Sequence, residues 1–244
     1  MGTVCRVLAV ASIGALALVA CGDESADGQP VSIIAIGDSN TDRAGAATYR
    51  CYLDQMLTEA GVSFDYVGGE TPTSAILYDC PTEFDMYHEA AFGGRINEIA
   101  DPAVASVEAL QPDVALVLLG GNDLRFQTRD DAPNELVSFV EDLQAASPDL
   151  TILVGQLLPC VPNVPGSLLT EERCEDFTPA FNEAIASFGE LSTATSTVTV
   201  VDMHTGFRVD DLLSDDGVHP TDAGDEEMAR RWMAALAESG AVES

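Results

Sequence analysis

The chain has 244 residues, 46% of them hydrophobic and 21% charged, which supports a full core and excludes an intrinsically disordered chain. Against 41 Asp and Glu stand 10 basic residues, all Arg, for a formal net charge of -31. A surface of that sign repels phosphate backbones and excludes nucleic acid as a partner; the acids are dispersed along the chain and read as a solvated face that favours solubility.

In chain order, Arg6 is followed by the apolar run Val7 to Ala20, too short to span a bilayer comfortably and of the length of a signal-peptide core. The run closes on Leu18-Val19-Ala20-Cys21-Gly22, which resembles the lipobox of bacterial lipoproteins. That resemblance implies cleavage before Cys21, lipid on its thiol, and anchoring by several acyl chains to the cell envelope. Residues 1–20 are then the signal, 21–30 the lipidated Cys and a flexible tether, and 31–244 the folded domain. Gly22 rather than Asp after Cys21 resembles lipoproteins that are not retained at an inner membrane.

Val31 to Ile36 is a β-branched apolar run, the pattern of a strand buried on both faces. It ends at Gly37-Asp38-Ser39. Thr48 to Ala60 has helical spacing and Gly61 stops it. Phe64 to Val67 is a short strand, and Glu70 to Phe92 a long irregular stretch, of the kind that is usually functional or stapled. Helices are predicted over Ile96–Leu110, with its first turns clouded by Pro102, and over Pro133–Ala146, Phe177–Leu191 and Thr221–Ala237. Further strands are predicted at Val114–Leu119, Thr151–Gln156 and Thr197–Asp202. Pro159 to Cys174 is a Pro-rich loop. Five strands alternating with helices give an α/β fold with a parallel sheet covered on both faces.

Cys51, Cys80, Cys160 and Cys174 remain for an exported domain, an even number that predicts disulfides. Three connectivities exist; Cys51–Cys80 with Cys160–Cys174 is favoured because each closes a local loop. No C-x-x-C spacing or clustered His points to a metal, and no Walker or G-x-G-x-x-G signature follows the first strand.

In such sheets, ligands gather at the carboxyl ends of the strands. Gly37-Asp38-Ser39 ends the first strand, Gly120-Gly121-Asn122-Asp123 follows the third, and Asp216-Gly217-Val218-His219 lies beyond the fifth. A Ser hydroxyl needs a base, and the base needs an acid to fix its tautomer. His219 is the best base candidate, because a tight turn over that spacing can bring Asp216 to its ring; His88 and His204 read as structural or surface residues. Candidate oxyanion donors are the Ser39 amide, the Gly93 amide (or Gly94) and the Asn122 side chain.

Together, Gly37-Asp38-Ser39, Gly93, Gly120-Gly-Asn122-Asp123 and Asp216-x-x-His219 resemble the four blocks of the SGNH, or GDSL-type, hydrolases. The resemblance spans Val31 to Ala237. It implies a flavodoxin-like three-layer α/β/α sandwich with strand order 2-1-3-4-5, a Ser39-His219-Asp216 triad and no cofactor. Tyr49 to Leu53, Phe64 to Gly68, and His88-Glu89 ahead of Phe92-Gly-Gly-Arg-Ile96 resemble the acetyl xylan esterase branch, carbohydrate esterase family 3. That branch typically reads His-Glu-Gly-His-Ser-Gly-Trp, where this chain has His88-Glu-Ala-Ala-Phe-Gly-Gly94. The expected activity is that of a serine esterase on short acyl esters, with acetyl on polysaccharide foremost. Lysophospholipid and thioester substrates are alternatives within the family, and a catalytically silent binding lipoprotein is an alternative of another class.

Overall fold

The computed structural model describes residues 29–43, 47–70, 80, 85–125, 131–166 and 169–242. The expected signal segment, Cys21 and the expected tether up to residue 28 lie outside the described residues. Among the described residues, six strands form one parallel sheet: β1 (Val31–Gly37), β2 (Phe64–Val67), β3 (Glu89–Ala90), β4 (Val114–Leu118), β5 (Thr151–Gly155) and β6 (Val198–Val201). The order is β2-β1-β4-β5-β6, the expected order once β3 is set aside. β3 is an addition to the five expected strands. It pairs with the end of β1 at Ile36 and Gly37, above the point where β2 stops pairing at Ile34. Two residues are too few to carry a strand pattern, and Glu89 is not a strand-former.

The alternation of side chains across the sheet sorts the core into two halves. Ile34, Ile36, Ala115, Val117, Ile152 and Val154 face α2 (Ile96–Leu110), α3 (Ala132–Ala146) and α4 (Thr178–Ile185). Ile33, Leu116, Leu118 and Leu153 face α1 (Tyr49–Glu59) and α6 (Asp222–Glu238). On that second face Trp232 is fully buried, and its ring lies 5.9 Å from that of Tyr49. The buried lengths of the central strands, Ile33 to Ile36, Val114 to Leu118 and Ile152 to Val154, are apolar because both faces are covered. Truncating a side chain such as Leu116 to Ala costs about 2–5 kcal/mol in such a core.

Helix α2 keeps its expected bounds, and the helix expected over 177–191 does not. Pro102 sits inside α2 without breaking it: Glu98 and Pro102 are both exposed, so the hydrogen bond lost there is not lost in the core. The stretch expected as one helix over 177–191 begins earlier and is divided. A π-helical turn over Glu172–Phe177 leads into α4, and a 3₁₀ turn over Phe188–Leu191 follows. Thr178 Oγ1 donates to the Arg173 carbonyl at 2.9 Å, closing the wide turn. A four-residue helix, α5 (Val209–Leu212), precedes the Asp216 turn and has no counterpart in the sequence reading. The cysteines pair as favoured, Cys51 with Cys80 and Cys160 with Cys174, at Cα separations of 6.0 and 5.2 Å.

Candidate active site

The first piece is the turn after β1. A Cβ on Gly37 would run into the Thr41 side chain, so only glycine lets the chain fold back there. The Asp38 carbonyl accepts the amides of Thr41 and Asp42, both at 3.0 Å, and Asp38 Oδ1 accepts the Asn40 amide at 3.0 Å. Ser39 is thereby held at the tip of β1, 8% exposed, with its hydroxyl toward His219.

The second piece is the turn that carries His219. Asp216 Oδ1 accepts the amides of Val218 and His219, each at 2.9 Å, and the Ser214 hydroxyl at 2.8 Å. The Ser214 amide donates back to the His219 carbonyl at 2.8 Å, and the Val161 amide ties Gly217 to the Pro-rich loop, also at 2.8 Å. Asp-x-x-His is therefore a closed turn. His219 Nδ1 lies 2.6 Å from Asp216 Oδ2, and His219 Nε2 lies 2.8 Å from Ser39 Oγ.

Burial pushes the Asp216 carboxyl up. The His219 amide and ring, the Val218 amide and the Ser214 hydroxyl outweigh it and hold the acid well below the usual carboxylate range. An ionised carboxylate only accepts, so Nδ1 carries the proton and Nε2 is left to accept from Ser39. That is the polarity a general base needs.

The third piece is the oxyanion wall. Among the described residues, the amides of Ser39 and Gly93 have no hydrogen-bond acceptor. The Gly94 amide is taken by the Ala91 carbonyl at 2.9 Å, so of the two candidate glycines Gly93 has the free donor. Gly93 has φ +73°, the left-handed conformation glycine adopts without strain. Asn122 Nδ2 donates to Asp38 Oδ2 and to the Gly94 carbonyl, both at 3.1 Å. The side chain is thus fixed between the two loops, and an arriving oxyanion has to share one of its hydrogens.

Two neighbouring acids are structural. Asp123 accepts the Ile96 amide at the start of α2, and burial raises its carboxyl to about 6. It ties the loop after β4 to the loop that carries Gly93. Burial likewise raises Asp38 to about 6, against the pull of the Asn40 amide and of His219.

The other two histidines lie outside the cleft. His88 is buried, its Nδ1 accepts the Ala90 amide at 3.0 Å, and burial with the nearby Arg50 lowers it to about 4. The His204 ring meets the Leu157 carbonyl and Asn182. Among the described residues, no group of three His, Cys, Asp or Glu could hold a metal ion.

Ser39, His219, Gly93 and Asn122 line one cavity of about 300 Å³, which also takes in Asp38, Phe92, Arg125, Leu169 and Arg173. Phe92 is 70% exposed and stacks on His219 with ring centroids 6.0 Å apart. Phe92, Arg125 and Arg173 were not singled out from the sequence. An Arg adjoining a loop-closing Cys, in a chain so poor in basic residues, was the one available signal for Arg173.

Residues 35–226 match the family of GDSL-like lipases and acylhydrolases. No curated protein sequence matches the chain. Among solved structures, a carbohydrate esterase family 3 protein from Talaromyces cellulolyticus is 26% identical, with a TM-score of 0.72 over 85% of this chain and 97% of that one. A family 3 carbohydrate esterase from Clostridium thermocellum is 24% identical (TM-score 0.65; 86% and 96% covered). A GDSL-like lipase from Bacteroides thetaiotaomicron is 16% identical (TM-score 0.59; 87% and 92% covered). The latter two share the fold.

Proposed function

The chain belongs to the GDSL-like lipase/acylhydrolase family and is a carboxylic ester hydrolase, and from that premise we propose that it removes short acyl groups, acetyl foremost, from acylated carbohydrate by a Ser39-His219-Asp216 mechanism. The observation that carries this reading is the unbroken chain from Asp216 Oδ2 through the His219 ring to Ser39 Oγ. Ser39 Oγ attacks the ester carbonyl as its proton passes to His219 Nε2. The oxyanion takes the amides of Ser39 and Gly93 and a shared hydrogen of Asn122. His219 then protonates the departing alcohol. A water, deprotonated by His219, attacks the acyl-enzyme and releases the acid, and Ser39 recovers its proton.

The cavity is open and modest in size, which suits a small acyl group on a larger alcohol better than a long chain. The 26% identical carbohydrate esterase supports the carbohydrate substrate. The test is release of p-nitrophenol from p-nitrophenyl acetate and butyrate by the protein and by Ser39→Ala. Acetate turnover that Ser39→Ala abolishes is expected. Turnover that survives the substitution overturns the mechanism.

The proposal includes export and a lipid anchor at Cys21, resting on the Leu18-Val19-Ala20-Cys21 pattern. Activity in expressing cells should sediment with membranes and move to the soluble fraction in Cys21→Ser. An equal distribution of the two removes the anchor.

A further inference from the structure

A chain of net charge -31 places two of its 10 Arg at one small cavity, beside the candidate nucleophile. Arg173 is the more informative. It is 8% exposed, and its backbone is held on both sides: its amide donates to Thr170 Oγ1 at 3.2 Å and its carbonyl accepts from Thr178 Oγ1 at 2.9 Å. The Cys160–Cys174 bridge adjoins it. Its Nη2 donates to the Gly121 carbonyl at 2.6 Å, which fixes the guanidinium plane against the loop that carries Asn122.

Among the described residues, Arg173 makes no ion pair with a carboxylate, and neither does Arg125, which is exposed at the same cavity. Arg173 feels the opposite charge of Asp38, whose carboxylate is already engaged by Asn40 and Asn122. Burial and the repulsion of Arg125 lower Arg173 to about 10, which leaves it charged at neutral pH.

A buried cation without a partner is costly, and removing its hydration is repaid only by an anion with matching geometry. Guanidinium presents a planar fork of donors that fits a carboxylate. Here one arm of the fork is spent on Gly121, and Arg173 lines the cavity. The surrounding field works against anions: 41 acids repel a negatively charged substrate at long range. A local pair of cations at the reaction cleft therefore has a selective role that a neutral ester would not need.

We propose that the cleft selects esters that carry a carboxylate close to the scissile bond, held by Arg173 with Arg125 assisting at the rim. The inference rests on the esterase reading and names its substrate class. The carboxylate has two possible sources: an acidic sugar bearing the acyl group, or a dicarboxylic acyl group itself.

Two matched pairs of substrates separate the sources. The methyl glycosides of O-acetylated glucuronic acid and O-acetylated glucose place the charge on the alcohol. The p-nitrophenyl esters of glutaric acid (one carboxyl free) and valeric acid place it on the acyl group, with the uncatalysed rate subtracted. In one pair the acidic member should be favoured in kcat/KM by about 10- to 100-fold, the worth of a charge-assisted hydrogen bond. The preference should reside in KM, shrink with added salt, and collapse toward parity in Arg173→Met. In Arg125→Ala, at an exposed position, it should fall part of the way.

Should Arg173→Met not fold, Arg125→Ala and inhibition of the wild type by free glucuronate, glutarate and glucose decide: an acid must inhibit at lower concentration than glucose. Ser39-dependent turnover with no carboxylate preference in either pair overturns the proposal and leaves the esterase reading standing. A preference unchanged in both Arg variants also overturns it. Absence of Ser39-dependent turnover of any ester removes the esterase reading and this inference together.

Discussion

At Asp216 four hydrogen bonds converge, and three of them decide what the fourth does. Oδ1 accepts two backbone amides and the Ser214 hydroxyl, so that position must be an oxygen. In Asp216→Asn the amide oxygen is held there and the NH₂ is turned toward His219 Nδ1. A donor facing Nδ1 forces the ring proton to Nε2, where it can no longer accept from Ser39. The expected result is a fall in kcat of about 10³- to 10⁴-fold on p-nitrophenyl acetate, with KM little changed. A fall of less than about tenfold by the same assay would show that His219 does not depend on Asp216 for its tautomer. The meeting of Ser39, Asn122, Asp216 and His219 at one edge was legible because the first two lie in short motifs at strand ends, where the fold class predicts convergence, and the last two form a short motif beyond the final strand. Arg173, Arg125 and Phe92 were not. Their place at the cleft depends on how three segments, after β3, β4 and β5, fold over the sheet edge, and no spacing in the sequence encodes that.

At the scale of elements, legibility follows the source of each element's stability. β1, β4 and β5 are buried on both faces and written as apolar runs, so their positions follow from composition alone. β3 and α5 have two and four residues and exist because neighbours place them. β3 is positioned by the end of β1, and α5 by α6, whose Thr221 amide donates to the Leu212 carbonyl at 2.9 Å. The division of the stretch from Glu172 to Leu191 has a similar cause. The Cys160–Cys174 bridge and the Thr178 hydroxyl fix the start of that segment, and periodicity in the sequence carries neither constraint. The same bridge gives Arg173 its fixed backbone, so an element that pattern reading misplaces is also the one that furnishes the charged wall of the cleft. Loop chemistry at this edge depends on covalent and side-chain ties, while the sheet beneath depends on burial, and only burial leaves a periodic trace.

For the molecule as a whole, the excess of acid and the buried carboxyls act on stability in the same direction. Burial raises Asp38 and Asp123 to about 6 and Asp225 to about 7, the last against the pull of Arg43 at 2.6 Å. In the unfolded chain the same groups titrate near 4. Between those values the native state binds more protons than the unfolded one, so these groups lose stability as pH rises from about 4 toward 7. His88 works the other way: lowered to about 4 in the fold, it costs stability as pH falls below about 6.5. Asp216 is held low, so its contribution is intact until the pH drops below about 4. Burial also raises the half-exposed Asp54 to about 6 and Asp85 above its usual range, though solvent screens both. Between pH 7.5 and 5.5 the five raised carboxyls oppose one imidazole, and the balance favours the lower pH by on the order of 2–3 kcal/mol, or about 5–10 °C in melting temperature. Self-repulsion of a chain carrying net charge -31 adds a term of its own, which salt screens at both pH values. Thermal melts at the two pH values, each with low and high sodium chloride, should therefore show a higher melting temperature at pH 5.5 and a rise with salt at either pH. The rise with salt measures dispersed surface charge; the pH difference that persists at high salt measures the buried carboxyls, which counterions do not reach. A melting temperature that falls between pH 7.5 and 5.5 at high salt would place the proton balance on His88 and show that Asp38, Asp123 and Asp225 are ionised in the fold at the same pH as in the open chain.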